Sequence, residues 1–329
     1  MSSPNGGAAL LSVRGLHTQV RNQRRTTTVV DRATFDIGRR EVLALIGESG
    51  SGKTMTALSI LRLVSPPISI AGGEVWYQGQ NLVRLPEDAM RSLRGRQIAM
   101  IFQNPRDRFD PLQTIGDQLV EVLLHHRVAR GRREAEDRAV DLLAEVQLLD
   151  GGRVMRLYPN EVSGGMLQRA MIALAIAPAP DLLIADEPTS ALDVTIQSEI
   201  LDLLKDLEAA RSMSILFITH DISVARQVAD TVAVMYAGQL VEYGAAAEVF
   251  ANPRHPYTQA LLASVPSPDA EILHPIPGQP PALSNPPPGC RFAPRCPSAA
   301  QHGRALEPPP VVTVDRVSVR CWLYDPGGA

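Results

Sequence analysis

Gly47-Glu48-Ser49-Gly50-Ser51-Gly52-Lys53-Thr54 is the stretch on which the reading of this chain turns. It follows Glu41-Val42-Leu43-Ala44-Leu45-Ile46, a nearly continuous apolar run of the kind expected for a parallel strand covered on both faces. The glycines at 47, 50 and 52 permit positive φ, so successive N–H groups can turn inward and wrap a phosphate chain, with Glu48, Ser49 and Ser51 completing the cradle. Thr54 opens a helix, Met55 to Leu61, whose N-terminal end adds partial positive charge beneath the anion. Lys53 is then placed to reach the terminal phosphates, and the Thr54 hydroxyl to ligate Mg²⁺. The chain holds 32 Lys+Arg, yet only Lys53 and Lys205 are lysines. A compact ammonium has been kept where a wide guanidinium fork would not fit.

The 329 residues suffice for one large or two ordinary domains, each with its own core. A formal net charge of −3 gives no electrostatic footprint for nucleic acid, so no nucleic-acid partner is expected. The most apolar stretch, Met171 to Ile184, is interrupted by Pro178, Pro180 and Asp181, which argues against a membrane span. Met1 to Gly7 lacks the basic and apolar regions of a signal peptide, so a cytoplasmic location is expected.

Beyond the phosphate loop the pattern turns helical from about 105 to 165, with Leu119, Val122 and Leu123 and then Ala139, Leu142, Leu143 and Val146 at three- and four-residue spacing. Residues 127 to 138, rich in Arg and Glu, read as a solvated helix face or loop. Strand-like runs return at Leu182-Leu183-Ile184-Ala185, Ile215-Leu216-Phe217-Ile218 and Val232-Ala233-Val234-Met235-Tyr236. This alternation predicts an α/β fold with a mostly parallel sheet, into which the helical block is inserted. Of 27 prolines, 17 lie from Pro253 onward. That composition blocks long helices and predicts an irregular C-terminal extension over 253–329, following a main domain over 1–252.

Two carboxylates, Asp186 and Glu187, end the strand begun at Leu182. Ligands bind at the carboxyl ends of strands in open α/β sheets, where Asp186 suits a metal-linked role and Glu187 the activation of water. His220 and Gln103 also follow strand-like runs. His220 is placed to sense a terminal phosphate, and the Gln103 amide to touch Mg²⁺ or water. Val162-Ser163-Gly164-Gly165-Met166-Leu167-Gln168-Arg169 offers a second Ser/Gly helix start, which is best explained if it serves nucleotide held by another subunit.

Together these segments resemble the ATP-binding subunit of ABC transporters, over nearly the whole chain. Gly47 to Thr54 is similar to the Walker A loop, Gln103 to the Q-loop, and Ser163-Gly164-Gly165 with Gln168 to the ABC signature. Leu182 to Asp186 resembles the Walker B strand, Glu187 the catalytic glutamate, Ser190-Ala191-Leu192-Asp193 the D-loop and His220 the switch histidine. The resemblance implies a P-loop ATPase that uses ATP and Mg²⁺, the metal held by Thr54, Gln103 and Asp186. It also implies a place on the cytoplasmic face of the membrane, working with two permease subunits, a second, paralogous ATPase subunit and an extracytoplasmic solute-binding protein. Phe250 to Leu262 and Gly289-Cys290-Arg291-Phe292-Ala293-Pro294-Arg295-Cys296-Pro297 resemble the C-terminal extension of oligopeptide and dipeptide importers. Nickel and glutathione importers share that extension, and a soluble ABC ATPase without a pore is the further alternative. Leu167 stands where the family usually has Arg, and Val20 to Val30 holds no aromatic ring to stack on adenine.

All three cysteines, Cys290, Cys296 and Cys321, lie in the last 40 residues. A Pro-rich, aromatic-poor tail buries little apolar surface, which predicts that an iron–sulfur cluster or zinc orders it, with His302 or an exogenous ligand as the fourth ligand; the alternative is three buried thiols in a tail that packs on a neighbouring subunit.

Overall fold

The computed structural model describes residues 9–22, 25–190, 192–265, 276–299 and 306–325. The chain opens with two long strands, β1 (Leu11–Asn22) and β2 (Arg25–Ile37), followed by β3 (Val42–Ile46), α1 (Lys53–Ile60), β4 (Ile68–Tyr77) and the short β5 (Gln80–Asn81). Next come α2 (Glu87–Leu93), β6 (Ile98–Ile101), α3 (Ile115–His125), α4 (Arg132–Glu145), α5 (Gly151–Val154), α6 (Gly164–Ile176), β7 (Leu182–Asp186) and α7 (Val194–Arg211). The remainder holds β8 (Ser214–Thr219), α8 (Ile222–Val228), β9 (Thr231–Tyr236), β10 (Gln239–Ala245), α9 (Ala246–Ala251), α10 (Pro256–Ala263), β11 (Val311–Val314) and β12 (Val317–Arg320). The described residues of Met1–Leu85 and Phe217–Ala329 form one compact unit, and those of Pro86–Leu216 a second.

In the first unit β3 pairs in parallel with β9, Leu43 opposite Thr231 through Ile46 opposite Val234. Both strands are buried along their whole length, which is why their sequences are apolar without alternation. β9 leads into β10 through Ala237 and Gly238, both at positive φ (45° and 85°), and such a turn matches the twist of an antiparallel pair. β12 then pairs antiparallel with β10, and β11 with β12. A separate antiparallel sheet runs in the order β2-β1-β4-β5. The expected parallel core is thus present but flanked by antiparallel strands, two of them from the C-terminal extension.

The second unit repeats the parallel theme with β6 beside β7, Ile98 opposite Leu182 through Ile101 opposite Ala185. Its helices bury the predicted stripes at Leu119, Leu123, Ala139, Leu142 and Leu143. Arg132–Glu136 at 2.8 Å and Arg138–Glu134 at 2.9 Å cover the exposed side of α4 with i,i+4 pairs.

Tyr257 and Leu261 of α10, together with Phe292 and Val317, are buried against Tyr236 and Val234 of β9. Tyr236, Tyr257 and Phe292 form a ring cluster with centroids 4.5, 5.2 and 5.4 Å apart. Few aromatics are available to this tail, and two of its four, Tyr257 and Phe292, are spent on this one contact. The premise that a metal must order the extension therefore does not hold.

His255 starts α10, with its Nδ1 accepting from the Tyr257 N–H at 3.0 Å, and burial holds its imidazole down to about 3. In the unfolded chain the same ring titrates near its ordinary value of about 6.5, so below that pH the unfolded state takes a proton that the folded state refuses. Stability is therefore lost as pH falls from about 6.5 toward 3, at up to about 1.4 kcal/mol per pH unit. The Glu242 carboxyl, pushed up by burial, works in the opposite direction nearby. Denaturant unfolding of wild type and His255→Asn at pH 7.5 and 5.0 separates the two. The Asn variant is expected to lose much of the acid-side decline, and equal declines would refute the assignment.

Candidate functional site

The loop between β3 and α1 has the backbone the sequence predicts, with φ of 153° at Gly47, 77° at Gly50 and 105° at Gly52. At Gly47 a Cβ would stand 2.1 Å from the Met235 carbonyl oxygen, and at Gly52 2.6 Å from that of Val29. Neither position has room for a side chain. Lys53 is only 5 % exposed and turns back into the loop, its Nζ donating to the Gly47 carbonyl at 2.7 Å and the Glu48 carbonyl at 3.1 Å. The Ser51 hydroxyl is buried with no hydrogen-bond partner in the described structure, whereas Ser49, Gly50 and Thr54 are exposed. A nest of inward-turned N–H groups, a charged ammonium held by neutral carbonyls and an unsatisfied buried hydroxyl fit an anionic phosphate chain.

In the second unit Asp186 ends β7 and is buried, while Glu187 follows it in the left-handed region at φ 48°. That conformation costs a non-glycine residue about 1 kcal/mol, and it swings Glu187 off the strand axis. Its carboxylate accepts a hydrogen bond of 2.9 Å from the Gln103 amide, so two residues 84 positions apart meet. The Ser190 hydroxyl donates to the Glu187 carbonyl at 3.0 Å and fixes the turn. In the first unit His220 lies exposed just after β8, and Asp221 caps α8 through the Ser223 N–H at 2.8 Å.

Ser163 caps α6, accepting from the Met166 N–H at 3.3 Å, and both Ser163 and Gly164 are exposed. Asp193 caps α7 in the same way, accepting from Ile196 at 3.0 Å. The two helix starts adjoin, since a Cβ on Gly165 would come 2.9 Å from the Ile196 side chain. Gln168 does not share this exposed face. It is buried, with its Nε2 unpaired. Leu167 is buried too, which accounts for an apolar residue where Arg is usual. Ala191 lies outside the described residues.

Among the described residues no group of three or more His, Cys, Asp or Glu side chains is arranged to hold a metal ion. Burial pushes the thiols of Cys290 and Cys296 up, and that of Cys321 up to about 11. The described cysteines are thus not assembled into the expected cluster or zinc site, and His302 lies outside the described residues.

Sequence reading missed the partners of Glu48. Its carboxylate is gripped by both terminal nitrogens of Arg295, at 2.8 and 3.1 Å, and its N–H donates to the Tyr257 hydroxyl at 3.0 Å. Arg291, four residues earlier, reaches Asp31 of β2 at 2.6 Å and also donates to the Ala237 carbonyl. The available signal was two arginines set among aromatic and cysteine residues in an otherwise Pro-rich tail.

The chain matches the ABC transporter family over residues 30–190 and the oligopeptide/dipeptide transporter C-terminal region over residues 241–302. It is 44% identical over 320 residues to the dipeptide transport ATP-binding protein DppD of Bacillus subtilis (strain 168), covering 96% of this chain and 95% of that one. It is likewise 44% identical over 325 residues to the oligopeptide transport ATP-binding protein AppD of the same organism, covering 98% and 99%. Among solved structures it is similar to the dimeric bacterial ABC transporter cassette MJ0796, with a TM-score of 0.64 and 26% identity over 72% of this chain and 98% of that one. Because the identity runs almost from end to end and both regions match in order, the chain belongs to the ABC transporter family, in the branch that carries the oligopeptide/dipeptide C-terminal region.

Proposed function

We propose that this chain is the ATP-hydrolysing subunit of an importer, spending ATP to drive oligopeptides or dipeptides through a separate membrane pore. The observation that carries the reading is the closed loop around Lys53, joined to a C-terminal region of the oligopeptide/dipeptide type. Gly47 to Thr54 hold the phosphates. Glu187, oriented by Gln103, takes the proton of the attacking water, and His220 holds that water against the terminal phosphate. The Thr54 hydroxyl, the Asp186 carboxylate and the Gln103 amide would be the oxygen donors to Mg²⁺, which when bound would neutralise charge at the phosphates.

The exposed pair of helix starts at Ser163-Gly164-Gly165 and Asp193 supports a site shared between subunits, each signature closing over nucleotide bound to the other chain. The partner is a second, paralogous ATPase. Residues 1–252 serve as the ATPase and 253–329 as its extension. Among the described residues no helix is long and apolar enough to cross a membrane, which fits a peripheral subunit working on two permeases at the cytoplasmic face and fed by a solute-binding protein. Exposed Leu112, Leu124 and Tyr158 on the helical block offer apolar surface for the permeases.

The test is ATPase activity of the transporter reconstituted in liposomes. Oligopeptide-loaded binding protein is expected to stimulate turnover, while the isolated chain turns over weakly and faster per molecule as its concentration rises. Stimulation by a nickel chelate or glutathione but not by peptides would reassign the solute. Turnover by a demonstrably monomeric sample would refute the shared site.

A further inference from the structure

Glu48 is held at three atoms. Its N–H donates to the Tyr257 hydroxyl, its carbonyl accepts from Lys53 Nζ, and its carboxylate is paired with the Arg295 guanidinium. Two of these three partners come from the C-terminal extension. The third, Lys53, is the group that must turn toward phosphate when nucleotide binds, so the hold of the loop on itself weakens at that moment.

Arg295 is built for a fixed position. Its side chain is only 4 % exposed. Its Nε donates to the Pro277 carbonyl at 2.8 Å, one terminal nitrogen reaches the Tyr236 hydroxyl at 3.3 Å, and the other reaches the Ile276 carbonyl at 3.4 Å. The guanidinium also faces the rings of Tyr236 and Phe292 at 5.8 and 6.0 Å. Every donor direction of the fork is thus engaged by groups already ordered, so forming the two bonds to Glu48 costs little further side-chain entropy. Were Arg295 absent, an unpaired carboxylate would remain in the very loop that must receive a polyanion. Like charges repel more strongly where water is partly excluded.

We propose that Arg295 is a positioning residue for ATP: by neutralising and pinning Glu48 it keeps the phosphate loop in its binding shape, so the C-terminal extension sets nucleotide affinity. The inference rests on the functional reading above and goes beyond it in giving the extension a task at the nucleotide. It predicts an effect on binding and on KM for ATP, with kcat at saturating ATP held, because Arg295 touches neither Glu187 nor Gln103 among its described bonds.

The experiment measures equilibrium binding of MgATP to the full-length chain, alongside thermal melting, for wild type, Arg295→Ala, Arg295→Lys and Arg295→Ala in a Glu48→Gln background. Arg295→Ala is expected to weaken ATP by about tenfold, the scale of a close charge pair losing one partner. Arg295→Lys should recover part of the loss, since it restores charge without the fork. In the Glu48→Gln background the same Ala substitution should cost about threefold or less, because the carboxylate it would have stranded is gone. In the reconstituted transporter KM for ATP should rise while kcat holds. Wild-type affinity in Arg295→Ala with a lowered melting temperature would overturn the proposal by leaving a structural role only, and equal losses in both Glu48 backgrounds would overturn it as well. If Arg295→Ala does not fold, Arg295→Lys decides, and affinity equal to wild type there refutes the need for the fork. Failure of wild type itself to bind ATP would instead overturn the functional reading on which this rests.

Discussion

Glu187→Gln is expected to bind ATP as wild type does and to lose turnover by about 10²–10³-fold, the range of a removed general base. The separation of the two effects follows from where the residues sit. Glu187 hangs from the end of β7 in a left-handed turn, fixed by the Gln103 amide at 2.9 Å and by Ser190 on its backbone. The phosphate loop is built from other residues altogether, with Lys53 donating to the Gly47 and Glu48 carbonyls. Gln is isosteric and can still meet the Gln103 side chain, so the turn and the water site keep their shape while the proton acceptor is lost. ATP binding by the purified chain and steady-state turnover by the reconstituted transporter, measured on the same variant, check both halves. Turnover near wild type would remove Glu187 from the mechanism, and loss of binding would show that it shapes the pocket.

What could be read from sequence was local. The run from Val42 to Ile46 becomes β3, the glycines after it take positive φ, and Ser163 caps the helix whose start it marks. Each of these outcomes is decided within a few residues, by side-chain period, by the absence of a Cβ or by a hydroxyl beside orphan N–H groups. The pairing of Arg295 with Glu48 spans 247 positions and depends on the ring cluster that brings the extension onto β9. No local pattern encodes that distance. Strand direction was hidden for a related reason, since β12 pairs with β10 and buries Val317 and Val319 far along the chain from their partners. Gln168 belongs to the same segment as Ser163, but its position one turn into α6 beside buried Leu167 and Ala170 carries it into the interior.

Lys53→Ala is expected to weaken MgATP by about a hundredfold or more, because charge-assisted hydrogen bonds to phosphate contribute about 1.5–3 kcal/mol each and a factor of ten corresponds to about 1.4 kcal/mol. The more decisive variant is Lys53→Arg, which keeps the charge. In the structure Nζ sits between the Gly47 and Glu48 carbonyl oxygens at 2.7 and 3.1 Å, in a loop whose backbone lies so close to its neighbours that a single Cβ at Gly47 would stand 2.1 Å from the Met235 carbonyl oxygen. A guanidinium is planar and much wider than an ammonium, and it cannot rotate three equivalent donors from carbonyls to phosphates about one bond. Lys53→Arg should therefore fall within a few-fold of Lys53→Ala in ATP affinity, even though its charge is intact. Calorimetric titration of both variants, with melting temperatures to confirm folding, makes the comparison. Arginine binding ATP as tightly as lysine would mean that charge alone is needed at this position, and the preference of this arginine-rich chain for lysine here would lose its physical explanation.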